Sequence, residues 1–109
     1  MSRIDQTLLN YFENENGVLK GVPTVQYLSQ ELNISSNYLS DLLRSITGLN
    51  TQQYIQNHII EKSKQLLAGS NLSVNEIAYS LGFEYPQSFS KLFKKKTNIT
   101  PLQFRQSFN

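Results

Sequence analysis

The chain spells out one stretch of chemistry twice, and this repetition constrains its fold more than any other feature. Thr24, Val25, Leu28, Ser29, Leu32, Asn33 and Ile34 return 49 residues later as Ser73, Val74, Ile77, Ala78, Leu81, Gly82 and Phe83. At a spacing of 50, Leu39, Ser40, Leu42, Leu43, Arg44, Thr47, Gly48, Leu49 and Asn50 return as Phe89, Ser90, Leu92, Phe93, Lys94, Thr97, Asn98, Ile99 and Thr100. One residue has been added between the two series. Matched runs of this length describe two copies of one supersecondary element.

In each copy the pattern is a helix, a tight turn and a second helix. Ser73 and Glu76 make the S-x-x-E capping box, whose hydroxyl and carboxylate satisfy orphan N–H groups at a helix start. Ile77, Ala78 and Leu81 follow at helical spacing, and Gly82 tolerates the positive φ that a sharp turn demands. Asn33 takes that place in the earlier copy, and asparagine is the next best residue for it. Ser29 and Ala78 lie mid-helix, where only a small side chain lets a second helix cross closely. A capped short helix, a Gly or Asn turn and a crossing second helix are the parts of a helix-turn-helix, whose second helix enters the DNA major groove.

Along the whole chain the pattern predicts an all-α fold of about seven helices. Ser2 with Asp5 caps a first helix with Ile4, Leu8, Leu9 and Phe12 on one face, ending in the polar stretch from Glu13 to Gly17. Pro23 and Thr24 start the second helix, Ser35 caps the third and Gly48 closes it. Asn50 caps a long fourth helix, in which Tyr54, Ile55, His58, Ile59, Lys62, Leu66 and Leu67 recur at three and four until Gly69 stops it. The fifth runs from Val74 to about Ser80 and the sixth from Pro86 to about Thr97. Thr100 and Pro101 open a last short helix carrying Leu102, Phe104 and Phe108. The expected organisation is one domain over 1–109: lobe one at about 3–49, a linker helix at about 51–68 and lobe two at about 70–108. From Thr51 to Ala68 the linker spans roughly 27 Å. That approaches the roughly 34 Å between successive major-groove segments on one face of a duplex.

Composition narrows the functional classes. With 109 residues, 39% of them hydrophobic, the chain holds one domain's worth of core. There is no cysteine, which excludes disulfides and thiolate metal sites. Apolar runs fall far short of a membrane span, and no signal-peptide pattern opens the chain. Residues 1–61 hold 3 basic and 6 acidic groups, residues 62–109 hold 7 basic and 2 acidic. A basic second half suits an anionic partner. The single histidine, His58, stands among apolar residues without a thiol or acid pair beside it, so neither catalysis nor a cofactor or metal is expected.

The order of motifs resembles the DNA-binding domains of AraC/XylS-type bacterial transcription regulators. The resemblance covers about residues 5 to 108 and is carried by S-V-N-E-I-A-Y-S-L-G-F (73–83), S-F-S-K-L-F-K-K (88–95) and T-P-L-Q-F-R (100–105). It implies two helix-turn-helix lobes joined by a long helix, contacts to two neighbouring major-groove segments of double-stranded DNA, and recruitment or steadying of RNA polymerase. It also implies a location in the bacterial cytoplasm at the nucleoid.

By register, the family's base-reading positions fall on Asn37, Ser40 and Asp41 in the first recognition helix and on Pro86, Gln87, Ser90 and Lys91 in the second. Gln87 and Asn37 suit adenine and Lys91 suits guanine. Arg44, Lys94 and Lys95 suit phosphates, which fix register without reading sequence. Leu39, Leu42, Leu43, Phe89, Leu92 and Phe93 are core. Asp41 stands where the family often has a cation; it can accept from cytosine N4 or be neutralised by Arg44. Ile59 replaces a usual arginine, and Pro86 starts a helix better than it reads a base. The second lobe, with Lys91, Lys94, Lys95 and Lys96, is expected to carry more of the electrostatic affinity.

The rival reading is a helical protein-interaction module without specific DNA binding. Two repeats are few for a solenoid, and the lysine cluster suits phosphates better. The isolated domain is expected to be a monomer, since it already holds two recognition helices and shows no spare apolar helix face. Family members usually carry an effector-binding or dimerising domain before this one. Because residues 2–12 open directly into a helix, an excised domain is the expectation.

Overall fold

The computed structural model describes residues 2–14 and 20–108, which contain seven α-helices and no strand. They are α1 (Ser2–Glu13), α2 (Val25–Glu31), α3 (Ser36–Thr47), α4 (Thr51–Gly69), α5 (Val74–Ser80), α6 (Pro86–Thr97) and α7 (Pro101–Gln106). The all-α expectation therefore stands, with small changes at helix ends. α1 already includes Ser2, α4 takes in Gly69 and hands over to an extended Ser70, and residues 15–17 of the expected polar ending lie outside the described residues.

The repeat holds down to single hydrogen bonds. α2 closes with Ile34 N–H donating to the Ser29 carbonyl and Asn33 N–H to that of Gln30, both at 3.1 Å. α5 closes with Phe83 donating to Ala78 at 3.0 Å and Gly82 to Tyr79 at 3.1 Å. Both are Schellman closures, with Asn33 at φ 57° and Gly82 at φ 102° in the left-handed position. The second helices end alike, Gly48 donating to the Arg44 carbonyl and Asn98 to that of Lys94. Ser35, Asn50, Ser73 and Thr100 all cap as expected. In the Ser73 box the backbone N–H of Ser73 holds the Glu76 carboxyl below its ordinary pKa. The correspondence also runs further than the sequence match. Asn50 with Gln53 and Thr100 with Gln103 form equivalent capping boxes, so α7 is a shortened counterpart of α4 and the repeating unit has three helices.

α4 packs against α2, α3, α5, α6 and α7. Its buried residues are Thr51, Tyr54 and Ile55, then Ile59, Ile60, Ser63 and Leu67. At about 100° per residue, the buried direction winds by roughly 160° between the first three and the last three of these. Different faces of one helix are thus buried along its length. Ile4, Leu8, Leu28 and Leu43 belong to the same continuous core as Ile77, Phe89 and Phe93, together with Ile55, Ile59 and Ile60 of α4. The element expected as a rod between lobes is the spine of a shared core.

α1 differs from its expected face. Ile4, Leu8 and Tyr11 are buried, Phe12 is half-buried and Leu9 is 42% exposed. The stripe at i, i+4 and i+7 won over the neighbouring leucine. α1 is tied to α4 by Asp5, which accepts from the Tyr54 hydroxyl and pairs with His58 Nε2 at 3.1 Å. Its far end reaches the second copy, where Phe12 and Glu13 share a cleft with Leu72, Ser80 and Leu81. Among the described residues no helix is long and apolar enough to cross a membrane.

Two outcomes follow for stability. Thr51 is 3% exposed, and its hydroxyl has no partner among the described residues. Replacing an unsatisfied buried hydroxyl by a methyl group of the same shape removes a desolvation cost, so Thr51→Val is expected to stabilise by up to about 1 kcal/mol in a urea titration. A loss of 1 kcal/mol would mean that the hydroxyl is paired. Gly48 and Gly82 both have positive φ, but a Cβ at 48 meets nothing within 4 Å, whereas one at 82 lies 2.5 Å from the Gly21 carbonyl oxygen and the Val22 nitrogen. Gly48→Ala is expected to cost about 1–2 kcal/mol of backbone strain, and Gly82→Ala a further 1–3 kcal/mol, roughly, of overpacking. Equal losses in the two variants would show that the contact at Gly82 is absent.

Candidate nucleic-acid interface

α3 and α6 are each 12 residues long and carry their apolar and polar groups on opposite faces. Leu39 and Leu43, and likewise Phe89 and Phe93, are fully buried. Opposite them, at i, i+3, i+4 and i+7, stand Asn37, Ser40, Asp41 and Arg44 on α3, and Gln87, Ser90, Lys91 and Lys94 on α6. Asn37, Asp41, Arg44, Gln87, Lys91, Lys94 and Lys95 are exposed, and Ser40 and Ser90 are half-buried at the flank of the face. The two outer surfaces are therefore built to one plan. Lys95 lies about 40° around the helix from Lys91, at the edge of the face. Leu42 and Leu92, read as core, are half-buried against it. Pro86 is the first residue of α6 and supplies a helix start in place of a side-chain cap, which Tyr85 does not make.

The charges are arranged unequally. Among the described residues the ion pair between permanently charged side chains is Lys64–Glu61 at 3.7 Å, while His58 Nε2 shares a hydrogen bond with Asp5 at 3.1 Å. Arg44 therefore does not neutralise Asp41 as the sequence allowed; both side chains point into solvent, where three-residue spacing alone does not enforce a pair. Lys94, Lys95 and Lys96 occupy the last turn of α6, where the partial negative charge of the helix terminus favours cations whether or not DNA is present. Lys91 stands a turn earlier and has no such structural task. Tyr38 and Tyr85, 58% and 56% exposed, flank Asn37 and Gln87. Aromatic residues read as core in a sequence pattern, so nothing placed these two on the surface.

Two helix-turn-helix units, each presenting a polar face on its second helix and the second of them a strongly cationic one, define a DNA-binding module. A family model described as a helix-turn-helix domain matches residues 28–107. Histidine kinase P4 of Formosa agariphila is 31% identical over 111 residues, covering 100% of this chain and 8% of that protein. The transcriptional activator RhaS of Escherichia coli is 34% identical over 79 residues, covering 72% of this chain and 28% of that protein. Among solved structures, the C-terminal domain of the two-component response regulator yesN from Fusobacterium nucleatum has a TM-score of 0.73 at 35% identity, over 92% of this chain and 95% of that one. The chain spans less than a third of the length of either curated relative. It belongs to the AraC/XylS family of helix-turn-helix domains, which bind duplex DNA sequence-specifically.

Arg105 closes the T-P-L-Q-F-R motif, and sequence reasoning gave it no role. Its guanidinium donates to the carbonyls of Leu67 at 2.9 Å, Ser70 at 3.4 Å and Leu66 at 3.5 Å. It thus caps the C-terminus of α4 from α7 and holds the second unit against the spine. The only signal in the sequence was a lone charged residue in the last helix. Arg105→Met, which keeps the stem and deletes the donors, is expected to cost about 1.5–3 kcal/mol in thermal or urea unfolding. A loss under about 0.5 kcal/mol would reduce Arg105 to an ordinary surface cation.

Proposed function

We propose that residues 1–109 act as one DNA-binding domain, with lobes at about 3–49 and 70–108 on a helix at about 51–68, and that α3 and α6 enter adjacent major-groove segments of one site. Asn37, Ser40, Asp41, Gln87, Ser90 and Lys91 read bases; Arg44, Lys94 and Lys95 hold phosphates. The observation that carries this reading is the matched register of the two outer faces, each set opposite a fully buried pair. One chain occupies one site as a monomer, although Leu102 and Phe108 of the last turns, 53% and 59% exposed, leave more apolar surface there than the sequence suggested. RNA polymerase is the second partner, and the bacterial cytoplasm, at the nucleoid, the location.

A titration of specific and scrambled duplexes at several salt concentrations tests these roles. Gln87→Ala and Lys91→Ala are each expected to weaken the preferred site by roughly 1–3 kcal/mol while sparing nonspecific binding. Lys95→Ala is expected to weaken all sequences alike and to flatten the slope of log K against log salt by about one unit. If Lys91→Ala and Lys95→Ala behave identically on both duplexes, Lys91 is only another phosphate contact. Two chains per duplex would rule out the monomer.

A further inference from the structure

Two units joined by a helix alone keep whatever freedom the joints at its ends allow. Here those joints are the short links between α3 and α4 and between α4 and α5. A second contact, remote in sequence, closes the pair on its other side. Gly21, ahead of α2, lies against Gly82, the turn residue of the second unit. A Cβ at position 82 would stand 2.5 Å from the Gly21 carbonyl oxygen and the Val22 nitrogen, so main chain meets main chain with no side chain between. The Gly21 carbonyl also accepts a hydrogen bond from the hydroxyl of Tyr11, a residue only 2% exposed. That ring is held edge-on by Tyr27 at 4.9 Å and by Phe12 at 5.8 Å between centroids. Burial, with Tyr27 adding to it, pushes the Tyr11 hydroxyl above its ordinary pKa, so it remains a donor.

With α4 on one side and this contact on the other, the two units form a closed ring of interactions, and bending at either end of α4 has to part Gly21 from Gly82. We infer that Tyr11, Gly21 and Gly82 form a lock that fixes the separation and rotation of α3 relative to α6, so that the domain selects the spacing between its half-sites as well as their sequences. The inference rests on both units binding one duplex, as proposed above. The three residues touch no base; they are positioning residues.

Because the chain has no cysteine, Ser45→Cys on α3 and Asn75→Cys on α5 provide a unique pair of exposed spin-label sites, one in each unit. Pulsed electron paramagnetic resonance on the free, labelled protein well below its melting temperature is expected to give a narrow distance distribution. Gly82→Ala and Tyr11→Phe are expected to widen it by about twofold or more, as hinge motion becomes available. Gly48→Ala, which carries left-handed strain of the same kind but whose Cβ meets nothing within 4 Å, leaves it narrow. Loss of stability alone does not widen the distribution of a folded protein, so equal widths in all four chains overturn the lock.

The second arm uses a duplex selected from a random pool and the same duplex lengthened by one base pair between its half-sites, which turns the second groove by about 35°. The unchanged chain is expected to lose affinity about tenfold or more on the longer duplex, and the two lock variants less than about threefold. Equal losses overturn the inference. If the unchanged chain holds selected and scrambled duplexes alike, the DNA reading of both units fails instead, and the resonance measurement still decides the lock. Should Gly82→Ala not fold, Tyr11→Phe, which keeps the ring, decides alone.

Discussion

A helix that buries one face at its start and a nearly opposite face at its end cannot be freed from the helices at one end without exposing side chains that the other end helps to cover. α4 is such a helix, with Thr51, Tyr54 and Ile55 turned one way and Ile60, Ser63 and Leu67 another. Burying each of the large apolar groups is worth roughly 1.5–3 kcal/mol, so either half of the spine alone outweighs any surface contact in the domain. Asn50 and Gln53 satisfy its first N–H groups and Arg105 its last carbonyls. The polar faces of α3 and α6 are what remain exposed once Leu39, Leu43, Phe89 and Phe93 are committed to this core.

The same core explains why two units of one design carry different charge. The inward positions are filled by equivalent residues in both, but the outer positions are free to differ. In the first unit they hold an amide, a hydroxyl, a carboxylate and one guanidinium; in the second, an amide, a hydroxyl and a run of ammonium groups. On the proposed reading, the second unit supplies most of the attraction to phosphate and the first contributes mainly directional hydrogen bonds, which lose less strength as salt is added.

Local chemistry was legible in the sequence and distant chemistry was not. The caps at Ser35, Asn50, Ser73 and Thr100 and the left-handed turns at Asn33 and Gly82 are settled within a few residues, so their patterns suffice. The surface placement of Asn37, Gln87 and Lys91 follows from helical period once the core leucines and phenylalanines are recognised. By contrast, the choice of Tyr11 over Leu9 for burial depends on Tyr27 and Gly21, and the role of Arg105 depends on carbonyls 35–39 residues earlier. The winding of the α4 stripe was hidden for another reason. Its apolar residues recur at three and four, as in an ordinary amphipathic helix, and only the positions of the helices around it show that no single face serves both ends.

The contact at Gly82 also bears on whether the two units are interchangeable cassettes. Their hydrophobic patterns, turns and caps are near copies, but each has its own arrangement of glycine and asparagine at the left-handed positions: Asn33 then Gly48 in the first, Gly82 then Asn98 in the second. Asn33 is exposed and its side chain extends into solvent. A hybrid built by placing the first unit in the position of the second would preserve the pattern of the core and yet drive an asparagine Cβ into the main chain at residues 21 and 22. The tandem therefore has an order that cannot be permuted, and a single missing carbon atom records which unit comes second.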